Sequence, residues 1–91
     1  DPKNPAFLDS LGWGYFKKKD YKKALEYLQQ AVRGLADDPT LLEHLGDVQQ
    51  ALGKTHEARD YYEKALTLTR DPAERNRVSE KIKKLKPKLQ M

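Results

Sequence analysis

Two histidines, His44 and His56, are the side chains of this chain best suited to acid–base chemistry or metal binding. His44 is followed three residues later by Asp47, a spacing that favours a surface ion pair over a catalytic dyad. The chain has no cysteine, which excludes disulfides, thiolate metal sites and cysteine nucleophiles. We therefore expect neither histidine to be a catalytic residue or a metal ligand.

Two other segments have the composition of reactive motifs without their pattern. The run Leu11-Gly12-Trp13-Gly14 lacks the Lys-Ser/Thr pair of a phosphate-binding loop. The adjacent carboxylates at 37 and 38 are typical of helix caps. We predict no catalytic residue, no metal and no cofactor, and we do not expect an enzyme.

The size and composition of the chain limit its organisation. It has 91 residues and a net charge of +4. A globular domain typically has about 100–150 residues, so this chain has room for no more than one, and we expect a single domain over 1–91. Its apolar residues recur at regular intervals, unlike those of disordered chains, and no apolar run approaches the roughly 20 residues of a membrane span. Because the chain does not begin with Met, we expect a fragment of a longer protein.

The sequence repeats itself at an offset of 34 residues, which is typical of repeat proteins. Within each period the apolar residues are three and four positions apart, the spacing of a helix that buries one face. Each repeat is therefore predicted to be a pair of helices. The residues that coincide are Pro5 and Pro39, Leu8 and Leu42, Leu11 and Leu45, Gly12 and Gly46, Ala24 and Ala58, Tyr27 and Tyr61, Ala31 and Ala65, and Asp37 and Asp71.

Capping residues and prolines set the helix boundaries. The expected N-caps are Asn4, Asp20, Asp38, Thr55 and Asp71, and three of them precede a proline suited to the first turn. The predicted helices span about 5–18, 21–35, 39–52, 55–69 and 72–86.

Three glycines have predicted structural roles. Gly53 is expected to take the left-handed conformation that ends a helix. Gly12 and Gly46 lie in mid-helix, where glycine costs roughly 0.5–1 kcal/mol relative to alanine, so we expect a packing reason for them. That reason is close approach of the two helices of a pair, which the small residues of the second helix allow; these are Ala24, Ala31, Ala58 and Ala65.

The two copies resemble the tetratricopeptide repeat (TPR) over about residues 5–70. The first copy reads Leu8-x-x-Leu11-Gly12-x-x-Tyr15, then Tyr21-x-x-Ala24, Leu28 and Ala31; the second reads Leu42-x-x-Leu45-Gly46, then Gly53, Ala58, Tyr62 and Ala65. The resemblance implies an all-α fold of antiparallel helical hairpins stacked as a right-handed α-solenoid with five helices. The repeats would span about 5–38 and 39–71. Lys19 stands where the family has a turn glycine, and Gln49 where it usually has Tyr.

The last predicted helix does not continue the repeat, since Asn76, Ser79 and Glu80 occupy the positions of Leu, Leu and Gly. We expect it to cap the last hairpin with an apolar stripe and to leave its lysines in water. Pro87 is predicted to end this helix, leaving a tail over 87–91. The stripe is Val78, Ile82, Leu85 and Leu89, and the intervening lysines are Lys81, Lys83, Lys84, Lys86 and Lys88.

The resemblance implies a non-catalytic protein-interaction module that binds a peptide or partner protein in a concave groove lined by the first helix of each pair. Helical phase also places these positions away from the packed stripe. The corresponding residues are Asp9, Ser10, Trp13, Phe16 and Lys17 in the first repeat, and Glu43, His44, Asp47 and Gln50 in the second.

The groove residues indicate the class of ligand. Chaperone adaptors of this family clamp a C-terminal carboxylate with Lys, Asn and Arg, whereas the corresponding positions here are Asp9, Trp13, Glu43 and Asp47. Acidic side chains repel a carboxylate, so we expect a basic or apolar peptide anchored on Trp13.

Two alternatives stay open. Trp13 and Phe16 would instead form an exposed aromatic patch that packs on a preceding repeat or joins a homodimer, making the chain a structural or self-association end-cap of a larger scaffold. Residues 73–91 carry a net charge of +5, which suits nucleic acid or an anionic membrane. No aromatic residue lies between those lysines, so we prefer a protein partner.

Overall fold

A computed structural model of the protein describes residues 4–89, with side-chain surroundings for residues 4–85. It contains α1 (Pro5–Lys17), α2 (Tyr21–Gly34), α3 (Pro39–Ala51), α4 (Thr55–Leu68) and α5 (Pro72–Leu89), and no strand over residues 4–89. The first four helices match the prediction within one residue at each end. None of the described helices is long and apolar enough to span a membrane.

The end of α5 differs from the prediction. The helix continues through Pro87 to Leu89, so the expected break at this proline is wrong. A proline removes one backbone hydrogen bond, and close to a helix end few later bonds depend on the one that is lost. The predicted contribution of Leu89 to the apolar stripe lies outside the residues whose side chains are described.

Side-chain caps start most of the helices as predicted. Asn4 and Asp38 each accept two backbone N–H groups of the first turn, and Asp20 accepts one, from Lys23. Asp71 accepts the N–H of Ala73. The expected cap at residue 55 is wrong, because that threonine is the first helical residue and the preceding lysine offers no capping side chain.

The turns inside the two hairpins share one geometry. Gly53 has φ +80°, as predicted, and Lys19, its equivalent in the first hairpin, has φ 65°. In both turns the left-handed residue donates its N–H to a carbonyl three residues back, Lys19 to Phe16 and Gly53 to Gln50. A lysine therefore occupies a conformation that L-residues rarely adopt and that glycine adopts freely.

Each helix packs against the next one along the chain, and α1 also touches α3. The main core lies between the two hairpins and is buried almost completely; it comprises Leu8, Ala24, Leu28, Ala31, Leu41, Leu45 and Val48. A second cluster joins α4 to α5 and comprises Ala58, Tyr62, Val78 and Leu85. Helix α5 thus covers the last hairpin with Val78, Ile82 and Leu85 of the predicted stripe.

Large side chains fill the space above the mid-helix glycines. A Cβ at Gly12 would lie 2.7 Å from Cγ of Leu28, and one at Gly46 would lie 2.6 Å from Cδ1 of Tyr62. Leu28 and Tyr62 are 34 residues apart, so the contact is the same in both hairpins. A packing role for both glycines is confirmed, but the closest atoms belong to the large side chains of Leu28 and Tyr62 and not to the alanines that we expected.

Candidate functional site

The first helices of the hairpins and α5 together enclose an open depression of about 240 Å³, here called the α1–α3–α5 groove. Its floor and walls combine aromatic, acidic and basic side chains. The lining residues are Trp13, Thr40, Glu43, His44, Asp47, Arg77 and Lys81.

Residues at and beside the groove recur every 34 positions in the sequence, including those on α5. Trp13, Asp47 and Lys81 are spaced by 34 residues, as are Asp9, Glu43 and Arg77. Helix α5 therefore occupies the position of a first helix of a third pair. Its side chains complete the groove, although its apolar face departs from the repeat.

Trp13 is held in an aromatic stack. The ring of Phe16 lies 4.6 Å from the indole at an interplanar angle of 10°, and the ring of His44 lies 4.1 Å away at 18°. Two nearly parallel rings this close to one centroid cannot lie side by side on one face, so they cover opposite faces of the indole. Trp13 therefore presents its edge to the groove, and its stacking faces are occupied within the chain.

His44 also makes a polar contact with α1. Its Nδ1 lies 2.9 Å from Oδ1 of Asp9, and both side chains are about one-fifth to one-quarter exposed. The predicted ion pair of His44 with Asp47 is wrong, because the ring points towards α1 and stacks on Trp13. The stack and this contact join α1 to α3 at the groove.

Glu43 is a buried carboxylate paired with two cations of α5. Arg77 donates to both of its oxygens, at 2.9 Å from Nε and 2.8 Å from Nη2, and Lys81 Nζ donates at 2.6 Å. Burial alone would raise the pKa of Glu43, but the bonds from Arg77 and Lys81 outweigh it and lower this pKa to about 2. The bond to Glu43 also raises the pKa of Arg77.

Asp47 links three helices. It accepts the hydroxyl of Tyr62 on α4 at 2.5 Å and the ammonium of Lys81 on α5 at 3.0 and 3.1 Å. Burial of the phenol, followed by its bond to Asp47, raises the pKa of Tyr62 well above its usual range. The carboxylates of α3 thus fix α5 beside the hairpins and neutralise its groove-facing cations.

The structure brings together only some of the residues predicted for the site. Trp13, Glu43, His44 and Asp47 line the groove, and Asp9 and Phe16 support it through His44 and Trp13. The other predicted residues do not line it: Ser10 lies beside Leu11, Gly14, Tyr15 and Lys18 in a separate depression, and Lys17 and Gln50 are exposed.

Sequence reasoning missed Arg77 and Lys81. The expectation that Lys81 is a solvated lysine of a capping helix is wrong, since it bonds to Glu43 and Asp47. Both cations could have been found by applying the 34-residue period to the last helix as well. The second histidine, His56, is exposed on α4, and the described part of the chain holds no group of three side chains arranged to bind a metal ion.

Comparison with known families finds the tetratricopeptide repeat twice, over residues 5–33 and 40–75. Together these matches span both hairpins and the start of α5.

Among solved structures, the fold is similar to the first TPR of Spaghetti (RPAP3) bound to HSP90 peptide SRMEEVD. The identity is 25%, the TM-score is 0.89, and the similarity covers 100% of this chain and 70% of that chain. The fold is also similar to the N-terminal domain of stress-induced protein-1 (STI-1) from C. elegans, at 22% identity and a TM-score of 0.74, covering 94% of this chain and 70% of that chain.

Proposed function

Because the chain belongs to the tetratricopeptide repeat family, we propose that it is a peptide-binding protein-interaction module, without catalytic activity, whose ligand lies in the α1–α3–α5 groove. We further propose that it forms one domain of two repeats, about 5–38 and 39–71, followed by α5. The observation that carries the proposal is the groove itself, which three helices line with an indole edge and charged side chains. A similar TPR structure is bound to a peptide.

The stacked side chains make this groove a preformed surface. Trp13, Phe16 and His44 restrain one another, and the ion pairs of Glu43 hold α5 in place. A surface that is ordered before binding adds little ordering cost of its own, so the main conformational cost of binding is that of ordering the peptide.

We propose a peptide with apolar and basic side chains. An apolar side chain suits the edge of Trp13, since aromatic side chains dominate many interfaces. In the groove lining, Glu43 and Asp47 balance Arg77 and Lys81, and the carboxylate of Asp9, which contacts His44 beside the lining, adds one negative charge. Asp9 lies beside the lining and is the most exposed of the three carboxylates, at 24%; within residues 4–85 it accepts one side-chain bond, from His44, so it is the carboxylate most accessible to a basic side chain of the ligand.

A groove-filling variant tests this function. Thr40 is an exposed groove residue, and its side chain makes no hydrogen bond to another described residue, so Thr40→Trp adds bulk there without removing a side-chain hydrogen bond. Peptides selected from a random library on the wild-type chain should bind Thr40→Trp at least tenfold more weakly. Glu26→Trp, on the exposed side of α2, is the control and should keep wild-type affinity. Equal binding to all three proteins would contradict a ligand in the groove.

A second candidate function is self-association through the outer face of α1. Phe7 is 52% exposed, and Leu11 and Gly14 continue its stripe. The residues 34 positions later, Leu41, Leu45 and Val48, are fully buried in the core between the hairpins. This face of α1 therefore corresponds to the one that packs on a preceding helix in the observed interface.

We propose a second copy of the chain as the occupant of this face. Trp13 and Phe16, where we expected an exposed patch, are only partly exposed, whereas Phe7 is 52% exposed, so Phe7 is the residue to change. Sedimentation of the wild type should show a concentration-dependent dimer that Phe7→Ser abolishes. A wild-type monomer at every concentration would contradict self-association.

A further inference from the structure

The groove contains two cations that could bind a ligand carboxylate, Arg77 and Lys81, and both are already paired with carboxylates of α3. Arg77 donates two bonds to Glu43, the bidentate geometry that guanidinium groups form with carboxylates. Lys81 donates to Glu43 and to both oxygens of Asp47. An internal carboxylate thus occupies each position at which an acidic ligand would bind.

We propose that Glu43 and Asp47 determine the ligand class of the groove by occupying Arg77 and Lys81, so that acidic peptides with a free carboxylate are excluded. This inference rests on the proposed function and deepens it. It assigns a role in specificity to two side chains that also hold α5 in place.

Burial explains why a ligand carboxylate does not displace Glu43. The Glu43 side chain is 7% exposed, whereas that of Arg77 is 50% exposed. An incoming carboxylate that took Arg77 and Lys81 would leave Glu43 buried and unpaired, and a buried unpaired charge is strongly unfavourable. A carboxylate that bound without displacing Glu43 would add a like charge beside two others.

The cations remain within reach of a ligand. Arg77 is half exposed, Lys81 is 30% exposed, and both line the groove. Neutral side chains of the same shape at 43 and 47 would keep hydrogen-bond acceptors for these cations and for Tyr62. They would also free the positive charge, so the groove should then bind carboxylates.

The test measures fluorescence anisotropy of two labelled peptides. One is acidic with a free C-terminal carboxylate, and the other is its amidated analogue with Gln in place of each Glu and Asn in place of each Asp. We expect Glu43→Gln/Asp47→Asn to bind the acidic peptide at least tenfold more tightly than the wild type does. The control Glu57→Gln/Glu63→Gln removes two exposed carboxylates from α4 and should leave the affinity within threefold of the wild type.

A second set of variants shows which residues cause the increase in affinity. Adding Arg77→Gln and Lys81→Gln to the double variant should abolish the increased affinity. If circular dichroism shows that the double variant is unfolded, Glu43→Gln alone should still give a gain of at least threefold. A folded variant without these gains, or a wild type that prefers the acidic peptide to its neutral analogue, would overturn the inference.

The experiment distinguishes a failure of this inference from a failure of the proposed function. If no library peptide binds the wild type while the double variant still gains the acidic peptide, the failure belongs to the proposed function. The block by Glu43 and Asp47 would then stand as a property of the groove.

Discussion

At the scale of single residues, Glu43 controls the electrostatics of the groove. It is the one charged residue that is buried within residues 4–85, and its two oxygens accept three bonds from α5. A buried charge is stable only when it is paired, so Glu43, Arg77 and Lys81 form a unit. The groove and the attachment of α5 therefore depend on the same ionised carboxylate.

The pH dependence of stability should report this carboxylate. Its folded pKa of about 2 lies below the usual value of 4.5, so its stabilising effect is complete above about pH 4.5 and is lost as the pH falls towards 2. The loss amounts to at most about 3 kcal/mol. Glu43→Gln should lower the free energy of unfolding at pH 7 by about 1–3 kcal/mol.

Urea denaturation between pH 7 and pH 2 measures both effects. The wild type should lose more stability than Glu43→Gln over the acid range, because the variant lacks the titrating group. Parallel pH profiles of the two proteins would show that the pairing of Glu43 does not stabilise the fold.

At the scale of helices and turns, the first hairpin carries a strained residue where the second has glycine. Lys19 has φ 65°, and the left-handed region costs L-residues about 1–2 kcal/mol. Lys19→Gly removes this strain, but glycine loses more backbone entropy on folding, which offsets part of the gain. The substitution should therefore raise the free energy of unfolding by about 0.5–1 kcal/mol. Gly53→Ala, at the matching turn, should lower it by about 1 kcal/mol.

Urea denaturation measures these two changes as shifts of the midpoint, provided that the dependence of the unfolding free energy on urea concentration stays constant. Opposite signs are expected, since one substitution removes the strain and the other introduces it. A stabilising Gly53→Ala, or a destabilising Lys19→Gly, would be inconsistent with the turn geometry.

The helices were largely predictable, and the groove only in part. Caps followed by proline fix where α1, α3 and α5 begin, because they act through local bonds that the sequence displays. The role of α5 in the groove was not predicted, because Asn76 and Glu80 stand at the positions where the repeat has Leu and Gly, and both are exposed. Its groove-facing residues, Arg77 and Lys81, still lie 34 residues after Glu43 and Asp47. The groove face of α5 therefore follows the repeat, whereas its packing face does not.

Side-chain partners were harder to predict than helices. His44 has an acidic neighbour three residues on, yet it pairs with Asp9, which is 35 residues earlier. The choice depends on how α1 and α3 pack, and the stack on Trp13 fixes the orientation of the imidazole. Local spacing carries no information on such contacts between helices.

At the scale of the whole molecule, one architecture gives the chain two different surfaces. The α1–α3–α5 groove is lined by three helices and rich in charge, whereas the outer face of α1 is apolar around Phe7. A groove that is held together by stacks and ion pairs suits peptide recognition. An apolar helix face suits packing against another helix.

The proposed function requires a peptide to bind in the α1–α3–α5 groove. Its most direct test is a ¹H–¹⁵N correlation spectrum of the chain, titrated with a library-selected peptide. We predict the largest shifts at the indole N–H of Trp13 and at the amides of His44 and Lys81, with little change on the exposed side of α4. Shifts concentrated on α2 and α4, with the Trp13 indole unchanged, would contradict binding in this groove.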